Sequence, residues 1–202
     1  MKPLASPGEL PARPPVRVIE TGQQLVRFYR PAHGPWNGQR FFGPLAWARF
    51  DHHRLPVGND PERSVWYAAR SLVGATAEAF GNLGFVEQRS DRRLVVVRVR
   101  SPLRLLDLAG TTARAFGLDQ RIGSSTDYEL CRDWARAFYE NYADLEGVHW
   151  RGRQAGSLCV VLTDRADMSK LEVVADNDLS EPTVWLRVAR AARRCRLRTF
   201  GV

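Results

Sequence analysis

Apolar residues recur along this chain at two different spacings, and the spacing changes several times. A period near two marks short strands at 16–19, 24–30, 64–69, 94–99 and 103–108, with Ser101-Pro102 breaking the last pair. Three more follow at 147–151, 158–162 and 171–174, and Arg49-Phe50 reads as a further short strand. The Gly/Pro/aromatic stretch 31–47 predicts a long functional loop, and 55–61 a turn-rich insertion.

A period near 3.6 predicts helices. Over 72–83, Leu72, Thr76, Ala79, Phe80 and Leu83 form one apolar stripe. The segment 127–141 is the clearest helix, with Leu130, Cys131, Trp134, Ala135, Phe138 and Tyr142 on one face and Asp127 as N-cap. A short helix is expected at 109–117. A last one at 181–196 has Trp185, Val188, Ala192 and Cys195 on its apolar side, with Arg187, Arg190, Arg194 and Arg198 opposite. Strands and helices mix without the regular alternation of a doubly wound fold, so the pattern predicts an α+β protein. Residues 1–15 hold five of the twelve prolines and read as an extended arm, leaving 16–202 as a single domain.

Composition narrows the function. The 202 residues are 44% hydrophobic and 26% charged, as in a globular protein, and no apolar run reaches the roughly 20 residues of a membrane span. The first residues lack the apolar stretch of a secretory signal, so a cytoplasmic protein with no membrane partner is expected. Net charge is +8, and only Lys2 and Lys170 are lysines. Guanidinium groups suit bidentate recognition of phosphate or carboxylate, although a GC-rich genome produces the same bias. Cys131, Cys159 and Cys195 are too widely spaced for a disulfide framework or a zinc pair, and the four histidines follow no ligand pattern, so no metal is expected.

The phosphate-loop, dinucleotide-fold and nucleophile-elbow signatures are absent. What remains is a constellation in the first 80 positions: Tyr29-Arg30, then Arg49-Phe50, then Trp66-Tyr67-Ala68-Ala69, then Ala75-Thr76-Ala77-Glu78. Downstream come Asp127–Ala135 with its tryptophan, Gly147-Val148-His149-Trp150-Arg151-Gly152-Arg153, and Leu158–Arg165. In this order the motifs resemble the RES-domain family of bacterial toxins, from about residue 17 to about residue 170. One position departs from the pattern: Gly152 stands where the family carries a serine, and Ser157 lies five residues on.

The resemblance implies an ADP-ribosyltransferase-like mixed sheet with flanking helices. It implies a toxin that consumes NAD as substrate, without a further cofactor, by cleaving the nicotinamide–ribose bond. The cognate antitoxin would be a helix-turn-helix protein of the Xre type. Such a cleavage passes through an oxocarbenium-like state. On this reading Glu78 stabilises the developing charge, Arg30 and Arg49 clamp the diphosphate, Tyr67 orients the nicotinamide ring, and Gly152 lines the pocket. Glu78 and Arg30 are the expected catalytic residues. Arg27 is the alternative to Arg30. Small neighbours Gly74 and Ala75 are expected to leave Glu78 over an uncluttered surface.

Each residue also has an ordinary reading. Glu78 on a helix's polar face would be merely solvated, Arg49 would pair with Asp51, and Tyr67 would be core. Glu129 and Asp133, one turn apart, fit a solvated face beside Arg132 and Arg136. At the level of function, the alternatives are an ADP-ribosyltransferase acting on a macromolecule, an impaired relative lacking the serine, and a basic nucleic-acid-binding module. The arginine face of the last helix suits phosphates, an acidic partner or solvent. No aromatic is interleaved on it, which argues against single-strand binding, and direct nucleic-acid contact is not expected.

Overall fold

The computed structural model describes residues 5–115, 118–153 and 156–201. The first half of the chain runs β1 (Val16–Ile19), β2 (Gln24–Tyr29), β3 (Arg40–Phe42), β4 (Asp60–Ala69), α1 (Leu72–Phe80), β5 (Phe85–Glu87) and β6 (Arg93–Val99). Next come β7 (Leu103–Asp107), α2 (Thr111–Ala115), α3 (Tyr128–Asn141), β8 (Gly147–Arg151) and β9 (Leu158–Thr163). The chain ends with β10 (Leu171–Asp178), α4 (Pro182–Arg194) and β11 (Arg198–Phe200).

Among the described residues nine strands form one mixed sheet in the order β1-β7-β8-β9-β4-β2-β6-β10, with β3 as a side branch on β4. Only β7 and β8 pair in parallel within it. β5 and β11 pair separately, also in parallel. This is the α+β architecture expected, a curled mixed sheet with helices against one face.

Strand alternation divides the core in two. On β4, Val65, Tyr67 and Ala69 face α1, α3 and α4, joining Phe80, Trp134, Phe138 and Val188. Trp66 and Ala68 point to the opposite face, joining Leu25, Val95, Val97, Leu105 and Val160. Helix α3 follows its sequence pattern closely. Asp127 caps it by accepting from the Leu130 amide at 3.0 Å, and Cys131, Trp134, Ala135 and Phe138 are buried.

The structure departs from the sequence pattern where the partners are distant. Arg49 and Phe50 lie in a turn, not a strand. The loop 31–47 contains β3, β4 begins at Asp60, and β10 runs on to Asp178. Helix α1 stops at Phe80, so Leu83 is exposed rather than part of a buried stripe, and Ala79 is exposed as well. Gly74 does not open a surface. Its missing side chain leaves room for Ser157, whose Cβ would lie 2.7 Å from an added Cβ. Residues 116 and 117, within the expected helix 109–117, lie outside the described residues. The proline-rich segment is tied to the domain: Trp134 Nε1 donates to the Ala5 carbonyl and the Tyr142 hydroxyl to that of Pro11, each at 2.9 Å.

Candidate functional site

A fork in the sheet creates the cleft. One edge of β4 pairs with β9 continuously from Val65 to Ala69. The other edge is shared: β3 pairs through Arg40 with Val65, whereas β2 touches it only through Val26 with Ala69. Between those contacts β2 and β3 diverge, and a hollow of about 420 Å³ opens, floored by β4 and flanked by α1. That volume falls within the roughly 300–1,000 Å³ of small-molecule sites.

Three arginines line the hollow, and each is anchored by one of its nitrogens. Arg27, from β2, donates through Nη1 to the Tyr67 carbonyl at 3.1 Å and lies over the Trp66 ring at 5.3 Å. Its Nε is buried with no hydrogen-bond partner. Burial, with Arg40 beside it, pulls its pKa down to about 10, so it remains a cation at neutral pH. Arg40 is held by Asp51 at 2.5 Å. Arg49 donates through Nη1 to the Ile122 and Ser125 carbonyls and stacks over Tyr128 at 4.9 Å. Fixing one arm of each fork reduces the rotamer freedom lost when an anion binds.

Asp51 organises this rim. It is fully buried and accepts from the backbone amides of Trp47 and Ala48, both at 2.9 Å, as well as from Arg40. The Tyr67 hydroxyl donates to it at 3.4 Å and accepts from the Phe50 amide at 3.1 Å. Burial, reinforced by the Asp51 charge, raises the Tyr67 phenol well above its ordinary value, so it stays neutral. Arg49 therefore does not pair with Asp51; that partner is Arg40. The turn presents Trp47, 72% exposed, at the mouth.

Glu78, exposed on α1, lines the same hollow. Behind it lies Gly152, where an added Cβ would fall 2.1 Å from Glu78 Oε1 and 3.1 Å from Cys159 Sγ. The carboxylate thus occupies the space that a serine side chain at 152 would need. Burial, together with the nearby Glu78 charge, pushes the Cys159 thiol up, which removes it as a nucleophile.

Of the residues singled out from sequence, the structure brings Arg49, Tyr67, Glu78 and Gly152 together at the first hollow and places Arg30 at the adjoining one. Arg30 follows β2, pairs with Asp91 at 3.6 Å, and lines an adjoining groove of about 390 Å³ with His33 and Arg92. Strand alternation explains the exchange: Arg27 reaches the fork, whereas Arg30 lies beyond the end of the strand. The sequence signal for Arg27 is a charge between Val26 and Phe28, inside an otherwise apolar strand. Arg40 and Trp47 were missed because their places depend on Asp51. Arg27, Phe28, Arg40 and Ala79 line both hollows, which are therefore neighbours.

A second polar cluster lies outside the cleft. His52 is buried against Tyr139, with ring centroids 4.1 Å apart, and meets Asp164 at 3.3 Å. Burial lowers the His52 pKa. Burial would raise Asp164, but hydrogen bonds from His52, Tyr139 and the Ser64 amide outweigh it and hold the carboxyl at about 2. His149, paired with Asp107 at 3.0 Å, is likewise lowered by burial.

A forked mixed sheet with an arginine-lined hollow, into whose wall one helix contributes a glutamate, is the frame of the candidate site. The RES domain family matches residues 16–185, and the chain belongs to that family. The fold is similar to a chain in the crystal structure of the M. tuberculosis MbcT–MbcA toxin–antitoxin complex. The TM-score is 0.62 and the identity 19%, covering 86% of this chain and 92% of that one. No curated protein matches the chain. Among the described residues no helix is long and apolar enough to cross a membrane.

Proposed function

We infer that this protein is a toxin that degrades NAD at the forked cleft and is held in check by an antitoxin. The observation that carries the reading is the pair of neighbouring hollows, about 420 and 390 Å³, which share Arg27 and Arg40 in their walls, with Glu78 lining the first. A dinucleotide has this layout: two nucleoside halves joined by a diphosphate, which the two guanidinium groups would clamp with charge-assisted hydrogen bonds. Arg27 takes the clamping role first expected of Arg30. The nicotinamide riboside half then lies beside Glu78, against Tyr67 and Trp47.

Cleavage breaks the bond between the ribose carbon and the nicotinamide nitrogen. The electron pair stays with nicotinamide, whose ring becomes neutral. Positive charge develops on the ribose, and the Glu78 carboxylate stabilises it electrostatically. Water, or phosphate, forms the new bond to that carbon; with water, the displaced proton passes to solvent. The serine of the family pattern has no counterpart at 152, so Glu78 and the arginines carry the site. Membership of the RES family, and the fold shared with a chain of a toxin–antitoxin complex, support the toxin reading. The partner would be an antitoxin of the helix-turn-helix, Xre-like type, acting in the cytoplasm.

Purified protein incubated with NAD tests this by chromatography of released nicotinamide. Glu78→Gln is expected to lower release at least 100-fold while leaving the melting temperature within a few degrees, and Arg27→Ala to lower it comparably with a larger melting shift, since it also removes the bond to the Tyr67 carbonyl. Full turnover by Glu78→Gln would remove the site assignment.

A further inference from the structure

The last helix carries a feature that the cleft does not use. From Pro182 to Val202 the sequence holds six arginines, Arg187, Arg190, Arg193, Arg194, Arg196 and Arg198, and no acidic residue. That segment supplies six of the eight net positive charges. The family match ends at residue 185, before the first of them.

Packing fixes how these side chains are displayed. The apolar face of α4 is spent on the core, with Val184, Val188, Ala191 and Ala192 buried and Cys195 Sγ 3.4 Å from the Val73 carbonyl of α1. All six arginines are exposed. None makes a hydrogen bond or ion pair with another described side chain. Some arginines elsewhere find carboxylates, as Arg93 does with Asp176 and Arg136 with Asp133, each at 2.9 Å, and others such as Arg17, Arg70 and Arg132 do not among the described residues, but only the end of the chain gathers six such guanidinium groups without an acidic residue among them. None of the six lines the cleft or the adjoining groove.

We propose that this face docks the phosphate backbone of a nucleic-acid duplex. Arg187, Arg190 and Arg194 follow one stripe at helical spacing, and from the first to the last the helix rises about 10 Å. Over that length one strand of a duplex presents about three phosphates. A protein partner would need apolar or aromatic anchors at the centre of the patch, and on α4 the exposed large apolar residue is Leu186 alone. A membrane would need the apolar face that α4 has already buried. A single strand would need a row of open rings, whereas Phe200 lies edge-on to Phe85 at 5.7 Å. The sequence alone left this face open to phosphates, an acidic partner or solvent. The unpaired guanidinium groups and the buried apolar side decide for phosphates, against the first expectation of no nucleic-acid contact.

The test is fluorescence anisotropy of a labelled 20-base-pair DNA duplex with the intact chain between 50 and 200 mM salt. Each phosphate neutralised contributes about −0.9 to the slope of log K against log salt, so a slope of about −3 is expected from the stripe alone and about −5 with all six arginines engaged. The triple variant Arg187→Gln/Arg190→Gln/Arg194→Gln is expected to lose at least tenfold in affinity at the lowest salt. It should also flatten the slope by about 2 to 3, with melting temperature and nicotinamide release unchanged. No binding at 50 mM salt overturns the proposal. So does an unchanged slope in the triple variant, or tighter binding to polyglutamate of equal charge, which would mark an acidic protein as the partner.

Discussion

Replacing Asp51 with asparagine isolates what one buried carboxylate does for the cleft. Asp51 Oδ2 accepts the Trp47 and Ala48 amides, and Oδ1 accepts Arg40 and the Tyr67 hydroxyl. Asparagine can keep its oxygen toward the two amides, but its NH2 then meets the Arg40 guanidinium, donor against donor. A hydrogen bond to a charged group is worth about 1.5–3 kcal/mol, and a neutral one about 0.5–1.5. Arg40 is 38% exposed and can turn to water, so the charged contact counts at its lower end. The total is about 2–3 kcal/mol. For a domain of this size that lowers the melting temperature by roughly 4–12 °C. Differential scanning fluorimetry reads the shift directly. In the cleavage assay the loosened 47–51 turn should raise KM for NAD several-fold, with a smaller change in kcat. A melting shift below 2 °C with unchanged KM would refute Asp51 as the organiser of the rim.

Stability should also fall with acid. His52 and His149 are held below the ordinary histidine value by burial, so the unfolded chain binds protons first as pH drops below about 6.5 and gains relative stability. Asp164, at about 2 in the fold, adds a second loss as pH falls from the ordinary carboxylate range toward 2. A melting temperature that stays flat between pH 6.5 and 4.5 would contradict this. Gly152→Ser should push the Glu78 carboxylate more than 1 Å from its present place and lower nicotinamide release about 10- to 100-fold without unfolding the chain; unchanged release would sever Gly152 from the site. Tyr142→Phe removes the tie to Pro11 and should cost about 1 kcal/mol, or roughly 2–4 °C, while leaving the cleavage rate unchanged.

The sequence was most informative where local periodicity and burial agree. Helix α3 is legible because Cys131, Trp134, Ala135 and Phe138 repeat at one period, behind a capping aspartate. Glu78 could be singled out because the resemblance and the helical wheel agree that it stands off the buried stripe. Arg30 shows the limit. The sequence pattern runs one strand from Gln24 to Arg30, whereas β2 ends at Tyr29, and only the register of β2 against β4, at the single pair Val26 and Ala69, puts Arg27 into the fork. The rim turn was misread as a strand for the same reason, since Asp51 draws its partners from residues 40 and 67 as well as 47 and 48. β5 and β11 pair across more than a hundred residues and carry no strong local signature.

The aperture between β2 and β3 is measured out by residues of β4. Four positions separate the Val65 and Ala69 contacts, which spans about 13 Å of extended backbone. Because successive residues of a strand face opposite ways, that opening changes most simply in steps of two, about 7 Å each; an odd step needs a bulge, as at Phe41–Phe42 of β3, to keep Trp66 and Tyr67 on their own sides. Ligand size is in this way coupled to the register of the core itself, so relatives that accept larger molecules would have to change their loops rather than this strand.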